Sequence, residues 1–221
     1  MDKYKDLKLL GKKIEKFVVG AEGNISKKEG DLFYIKSSGS FLNNLTDDDI
    51  VCYDFLGNQK DNLGKKGSME LNFHKFLLKH EEINYVCHTH PTNTLKILCS
   101  DNIYDFSVYR LFPDQVIFND KKSCVIPYAN PGEELFNLIE DMVNKFIESE
   151  KFFPKLILLK NHGIITCGKT IEECVVATEI CEKSAEIFLS GVDKMNMTYL
   201  SNLDINKLIN DENEKYRKSL I

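Results

Sequence analysis

The apolar run from Leu156 to Leu159 constrains the fold of this chain most strongly. Its four residues show no alternation between apolar and polar side chains, and a strand with that pattern is covered on both faces. Such a strand lies inside a sheet, with other structure packed above and below it. We therefore predict a layered domain around this strand.

The rest of the chain supplies strands and helices in irregular order. Patterns of apolar residues predict strands near residues 24–27, 32–36, 50–55, 83–86, 125–127 and 164–168, and helices near 3–19, 68–80, 91–99, 131–149 and 170–190. They do not follow the rhythm of βαβ units, so we expect a three-layer α/β domain with a central, mostly antiparallel sheet. The length of 221 residues favours one domain, 1–221, with a polar helical tail from about residue 200.

Composition argues against several classes of partner. Lys and Arg number 29 against 34 Asp and Glu, and neither sign forms a long block, which disfavours nucleic acid and membrane surfaces as main partners. No apolar run approaches the roughly 20 residues that span a bilayer, and the N-terminus has no apolar signal core. Seven scattered cysteines without a C-x-x-C pair suit reduced, buried thiols. We expect a soluble, cytoplasmic protein.

The segment Cys87-His88-Thr89-His90-Pro91 contains two of the five histidines. In a strand, residues two apart project from the same face about 7 Å apart at Cα, so both imidazoles could approach one point. Pro91 ends strand pairing, which places the pair at the strand end. Each ring, taken alone, could equally be a hydrogen-bonded histidine of the core or the surface. Cys87 points to the opposite face and is not expected to be a ligand.

His162 follows the apolar strand and precedes Gly163, a residue that allows another group to approach the backbone closely. It is therefore a natural third ligand beside His88 and His90. Three neutral imidazoles leave Zn²⁺, or another divalent cation, with its full charge and an open coordination position, as in a catalytic site. Such an ion can polarise a carbonyl group and stabilise a developing enediolate.

Glu70 is predicted to lie in the first turn of a helix that Ser68 caps. A carboxylate there is favoured by the helix dipole, which is one explanation for it. The other explanation is chemical, because a carboxylate beside a metal ion can move a proton to or from carbon. His74, one turn further along the helix, is expected to pack or to support the site rather than to bind the metal.

Three polar loops precede the histidine pair: Gly23-Asn24, Ser38-Gly39 and Gly67-Ser68. Small residues with free backbone amides and hydroxyl groups can bind a phosphate or the hydroxyls of a sugar. Each loop by itself is an ordinary turn. Their occurrence together favours a binding site for a small polar molecule.

The order of these motifs resembles the class II aldolase/adducin family. The motifs are Gly23-Asn24-Ile25-Ser26, Ile35-Lys36-Ser37-Ser38-Gly39, Ser68-Met69-Glu70 with His74, His88-Thr89-His90-Pro91 and Asn161-His162-Gly163. They cover roughly residues 5–190. The family includes fuculose- and rhamnulose-phosphate aldolases and ribulose-phosphate 4-epimerase. The resemblance implies a three-layer α/β/α fold and a homotetramer with active sites between subunits.

The resemblance also assigns roles by position. It makes His88, His90 and His162 the zinc ligands and Glu70 the catalytic acid/base. It places four residues where members bind substrate phosphate, namely Asn24, Ser38, Gly39 and Ser68. The implied reaction is aldol cleavage of a small ketose or ketose phosphate through a metal-stabilised enediolate. Dehydratase and decarboxylase relatives, which can share such an intermediate, are alternatives. A non-catalytic, adducin-like interaction domain is an alternative of another class, but it would not require the three histidines and the acid.

Two residues depart from the family pattern. Met69 stands where phosphate-binding members often have a second hydroxyl residue, which weakens phosphate recognition and leaves a non-phosphorylated substrate open. Glu70 stands where the epimerase branch has aspartate, which argues against an epimerase. Aldolases of the family also take a tyrosine from a neighbouring subunit, and the candidates are Tyr109, Tyr199 and Tyr216.

Overall fold

The fold is built on one seven-stranded sheet. The computed structural model describes residues 3–61, 64–192 and 197–220. The strands are β1 (Asn24–Glu29), β2 (Leu32–Lys36), β3 (Ile50–Asp54), β4 (Tyr85–Thr89), β5 (Cys124–Ile126), β6 (Leu156–Leu159) and β7 (Gly163–Gly168). Their order across the sheet is β3-β2-β1-β4-β7-β6-β5. Neighbours run antiparallel except β5 and β6, which confirms the predicted α/β class and the mostly antiparallel sheet.

Strand β4 occupies the middle of the sheet and brings the metal-site motifs together. It pairs with β1, where His88 faces Asn24, and with β7, where His88 faces Ile165. Strand β6, the apolar run, lies between β5 and β7, and all four of its residues are buried. Segments far apart in sequence therefore reach the same end of the central strands.

The helices pack against the strands through three apolar clusters. They are α1 (Lys5–Ile14), α2 (Leu71–Leu78), α3 (Thr92–Leu98), α4 (Ile103–Val108), α5 (Pro113–Asn119), α6 (Glu133–Glu150), α7 (Ile171–Val192), α8 (Asn202–Asn210) and α9 (Glu212–Ser219). Consecutive residues of a strand enter different apolar clusters. Phe33 of β2 packs in a cluster that includes residues of α2 and α6, whereas Tyr34 packs in a second cluster that includes residues of α1. A third cluster joins Leu156 and Leu158 to α3, α4 and α7. None of the described helices is long and apolar enough to cross a membrane.

Three predicted helices differ from those observed. The first α-helix ends at Ile14, not near 19, and one 3₁₀ turn follows, because the chain turns so that the Phe17 carbonyl accepts the backbone N–H of His90 at 2.9 Å. The tail forms two helices instead of one, since the Asp211 side chain caps α9. Helix α2 begins at Leu71, so Ser68 is not its cap; the Ser68 hydroxyl instead accepts the N–H of Glu70 at 3.2 Å.

Candidate metal centre and active site

The three predicted ligands meet at one point. His88 lies in β4, His90 follows directly after that strand, and His162 lies in the turn between β6 and β7. One ring nitrogen of each histidine lies within 4.8 Å of the others, and the Nε2 atoms of His88 and His90 are 3.0 Å apart. The distances suit a small cation, because two nitrogens bound tetrahedrally to Zn²⁺ are about 3.3 Å apart.

Hydrogen bonding and burial leave His88, and burial leaves His162, in the neutral form that binds metal. The Nδ1–H of His88 donates to the Ile164 carbonyl at 2.9 Å, so its Nε2 presents a lone pair. Burial, with the nearby His90, lowers the pKa of His88 to about 3. Burial, with the nearby His88, lowers the pKa of His162 to about 4. Neutral rings are required, because a protonated imidazole cannot bind a cation.

Gly163 allows the two histidine segments to approach. A Cβ atom at this position would lie 2.6 Å from the Thr89 carbonyl oxygen and 3.2 Å from His88 Cε1, and it would also collide with the His90 ring. The turn before it places Asn161 at φ 56°, a left-handed conformation that asparagine tolerates well. The motif Asn161-His162-Gly163 is thus explained by backbone geometry as well as by the ligand it carries.

Glu70 faces the histidines from the start of α2. Its Oε2 atom lies 3.4 Å from His88 Nε2 and its Oε1 atom 3.6 Å from His162 Nε2. Oε2 accepts a hydrogen bond from Asn24 Nδ2 at 2.7 Å, while the buried Oε1 has no hydrogen-bond partner among the described residues. The Nδ1 atom of His162 is equally unpaired within the described part of the chain. Unpaired buried polar atoms are costly, and three imidazoles with a carboxylate form a donor set that fits a divalent cation.

All the residues predicted for the site line one cleft of about 220 Å³. Its lining comprises Ala21, Gly23, Asn24, Lys36, Ser38, Gly39, Ser68, Met69, Glu70, His88, His90, Pro131 and His162. A larger pocket of about 480 Å³ lies beside α5 and the C-terminal helices, but the histidine group is not part of it. We place the candidate active site in the smaller cleft, because the chemically capable groups are there.

The polar loops differ from expectation in one respect. The backbone N–H of Ser38 donates to the Lys66 carbonyl, and that of Ser68 donates to the Lys36 carbonyl. The expectation of free amides is therefore wrong for these two: they join the loops to each other and are not available to an anion. The Ser68 hydroxyl accepts from Asn24 Nδ2 at 3.0 Å. Met69 is 70% exposed at the cleft.

Lys36 was not predicted as a site residue. It is buried to 2% exposure, its ammonium group donates to the Ala21 carbonyl at 3.1 Å, and it lines the cleft. Burial lowers the pKa of Lys36 to about 8, against the opposing effects of Asp49 and Glu70. Its position in a predicted strand, between apolar Ile35 and small Ser37, did not distinguish it from a lysine on the exposed face of a strand.

Comparison with known proteins identifies the family. The model of the class II aldolase and adducin N-terminal domain matches residues 12–189. The chain belongs to this family. The resemblance seen in the motifs is thereby confirmed, and class II aldolases are metal-dependent enzymes.

Relatives in the family have more than one activity. The chain is 37% identical over 173 residues to L-fuculose phosphate aldolase of Methanococcus maripaludis strain C5, covering 78% of this chain and 86% of the relative. It is 27% identical over 179 residues to 3-oxo-tetronate 4-phosphate decarboxylase of Escherichia coli K12, covering 79% and 80%. The crystal structure of YgbL from Escherichia coli, a candidate aldolase, epimerase or decarboxylase, superimposes with a TM-score of 0.79 at 22% identity over 92% of this chain and 96% of YgbL. This last likeness supports the fold.

Proposed function

We propose that this protein is a zinc-dependent lyase of the class II aldolase type that cleaves a small ketose phosphate. One observation carries the proposal: three histidines and a buried glutamate converge in one cleft, with one carboxylate oxygen held by Asn24 and the other unpaired among the described residues. In the proposed site His88, His90 and His162 hold the ion. When bound, the ion supplies positive charge that offsets the negative charge developing on substrate oxygens.

Glu70 is the proposed acid/base. Cleavage of the carbon-carbon bond requires the substrate hydroxyl on the departing carbon to lose its proton; that carbon leaves as an aldehyde, and the remaining enediolate must take up a proton at carbon. The unpaired Oε1 of Glu70 lies inside the cleft and can carry that proton, while Asn24 holds Oε2 in place. The low exposure of the carboxylate, 8%, keeps competing water away from the proton that is transferred.

Lys36 supports a substrate with an anionic group. Its ammonium group is buried at the cleft, beside the predicted substrate residues Asn24, Ser38, Gly39 and Ser68. A positive charge there offsets the missing second hydroxyl at Met69 and favours a phosphorylated substrate, in line with the sugar phosphate named for the archaeal relative.

Further parts of the proposal concern the whole protein. We include one three-layer α/β/α domain, supported by the clusters on alternate sides of the strands, and assembly as a homotetramer, which the family resemblance implies. A cytosolic setting is supported by seven free thiols, six of them buried.

Metal analysis and an aldol-cleavage assay test the proposal together. Purified protein should contain about one zinc or similar divalent ion per chain, and it should release an aldehyde from one member of a panel of short ketose phosphates that includes L-fuculose phosphate. His90→Ala should lose metal and activity. His80→Ala is the matched control, because His80 lies outside the cleft and packs against Phe76 and Phe153. Metal-free active protein, or an unimpaired His90→Ala, would contradict the proposal.

A second candidate function is decarboxylation of a phosphorylated 3-oxo acid. It is favoured by the bacterial relative and by the buried Lys36, whose charge could bind a substrate carboxylate as well as a phosphate. The same purified protein, given phosphorylated 3-oxo sugar acids, would then release CO₂ and no aldehyde. The product detected therefore separates the two reactions.

A further inference from the structure

A series of hydrogen bonds between buried polar side chains leads from the interior to Glu70. Ser26 Oγ lies 2.6 Å from His74 Nδ1, His74 Nε2 contacts Asn24 Oδ1, and Asn24 Nδ2 lies 2.7 Å from Glu70 Oε2. Ser26 and His74 are fully buried and Asn24 is 5% exposed. The proposed function uses Glu70 and Asn24, but it gives no role to His74 or Ser26.

The donor and acceptor atoms of these groups give the series of hydrogen bonds a single direction. The amide nitrogen of Asn24 can only donate, and it faces two acceptors, Glu70 Oε2 and Ser68 Oγ. The opposite amide orientation would put oxygen against oxygen at 2.7 Å. The Asn24 oxygen must then face His74, so His74 Nε2 carries the hydrogen. Burial holds the pKa of His74 well below its usual range, so the ring is neutral and its Nδ1 accepts from the Ser26 hydroxyl.

The local fold explains why these groups meet. Asn24 and Ser26 are two residues apart on β1 and so lie on the same face of the sheet. Glu70 and His74 are one helical turn apart at the start of α2, which packs on that face. The His74 ring stacks on Phe73, with centroids 4.6 Å apart at 21°. The stack fixes the plane of the ring, and within that plane only the observed orientation directs nitrogens toward both Asn24 and Ser26, because a flip would place carbon atoms there.

We propose that His74 is a positioning residue for the reaction. Its Nε2–H holds the Asn24 amide in the orientation that donates to Glu70, and this fixes the carboxylate with Oε1 directed into the cleft. The inference rests on the proposed role of Glu70 as the acid/base. A positioning role requires a hydrogen-bond donor at position 74, whereas a packing role requires only an aromatic ring.

The first test uses the unmodified protein and does not measure activity. Protein labelled with ¹⁵N at histidine is loaded with Zn²⁺, and the side-chain ¹H–¹⁵N correlations of its five histidines are recorded. His74 is assigned from the signal lost in His74→Gln. We expect a neutral ring with hydrogen on Nε2 between pH 6 and 8. A ring with hydrogen on Nδ1, or on both nitrogens, overturns the proposal.

The second test compares two substitutions of opposite character. His74→Phe keeps an aromatic ring against Phe73 but removes both hydrogen bonds, whereas His74→Gln keeps an N–H that can reach Asn24. We expect His74→Phe to lower kcat about 10- to 100-fold with KM within about threefold and zinc content retained, and His74→Gln to recover most of that loss. A packing role predicts the reverse order, so a kcat for His74→Phe equal to or above that of His74→Gln overturns the proposal.

The two tests separate this inference from the proposed function. If His74→Phe fails to fold, the spectrum of the unmodified protein still shows which nitrogen of His74 carries the hydrogen, and so the direction of the hydrogen bonds. If Glu70→Gln is fully active, the role assigned to Glu70 is wrong, whereas the state of His74 is measured independently of it.

Discussion

At the scale of single residues, the setting of Glu70 favours one of its two explanations. A carboxylate at a helix start is often explained by capping and by the helix dipole. Glu70 occupies the N-cap position of α2, yet its side chain makes no capping hydrogen bond to any residue that the structure describes. It turns toward His88 and His162 instead. A chemical role therefore explains its burial better than helix stabilisation does.

Glu70→Gln should separate metal binding from catalysis. The amide has nearly the same shape, and the three histidines remain, so we expect zinc content to be retained. Because an amide cannot transfer the proton, kcat should fall on the order of 10²-fold or more. Glu148→Gln, the same substitution at an exposed position on α6, is the matched control. Metal analysis and steady-state kinetics on both variants test this, and an active, zinc-bound Glu70→Gln would exclude the acid/base role.

The residues of the site differed in how far sequence could identify them. His90 and His162 each stand next to a strong local signal, a proline or glycine at the end of a strand, and His88 lies two residues before His90. Lys36 carries no such signal, because a lysine in a strand usually marks the exposed face. Its burial depends on the carbonyl of Ala21, which lies in a loop of no regular pattern. A contact between a side chain of a strand and the backbone of a distant loop cannot be predicted from the periodicity of apolar residues.

At the scale of secondary-structure elements, the site depends on the close approach of β4 and β7. Gly163 opens β7 and lies against the carbonyl of Thr89, the last residue of β4. A side chain here must displace one of the two strand ends. The geometry of the candidate metal centre is therefore linked to the packing of the sheet.

Gly163→Ala should weaken the binding of zinc. The added methyl group would meet the Thr89 carbonyl at 2.6 Å and the His90 ring, so these groups must shift. We expect at least a tenfold loss of zinc affinity, measured by competition with a chelator. Gly20→Ala is the control: its φ of 62° makes alanine strained there, but a Cβ atom would contact nothing within 4 Å. Equal zinc affinity in the two variants would show that the approach of the strands does not control the site.

The elements themselves were predicted well where their pattern was local. The hairpin of β1 and β2, the apolar strand β6 and the long helices α6 and α7 were all expected near their observed positions. No boundaries were predicted between residues 101 and 123, where the structure has α4 and α5. These helices surround the buried Arg110, which binds backbone carbonyls of both segments, including those of Ser107 and Asp120. That arrangement depends on one side chain and not on a repeating pattern.

At the scale of the whole molecule, buried histidines should make the metal-free protein sensitive to acid. Burial lowers the pKa of His74, His88 and His162. Below about pH 6.5 the unfolded chain takes up protons that the folded chain does not, so stability falls as pH falls. Each histidine contributes up to about 1.4 kcal/mol per pH unit in that window. Denaturant unfolding at pH 7.5, 6.5 and 5.5 measures the slope, which should be shallower in His74→Gln; a stability independent of pH would contradict the assignment.

The assembly of the molecule can be tested through its tyrosines. Tyr109 and Tyr199 stack with centroids 4.5 Å apart and are 43% and 37% exposed. Neither is among the described residues that line the cleft of their own chain. If a tetramer places Tyr109 at the site of a neighbouring subunit, Tyr109→Phe and Glu70→Gln homotetramers should both be impaired. Random co-assembly of the two variants should restore about a quarter of the activity, because some sites then receive both intact residues.

Co-expression with two different affinity tags provides the mixed assemblies for this experiment, and light scattering gives their mass relative to the 25.4 kDa chain. Glu70→Gln carrying both tags is the control, since no combination of its subunits contains the acid. If activity returns in the mixed tetramer but not in either homotetramer, one site must be built from two chains, because neither variant can repair its own defect. Mixed tetramers without recovery would place the tyrosine and the glutamate in the same subunit's site, and a fully active Tyr109→Phe would exclude Tyr109 as the donated residue.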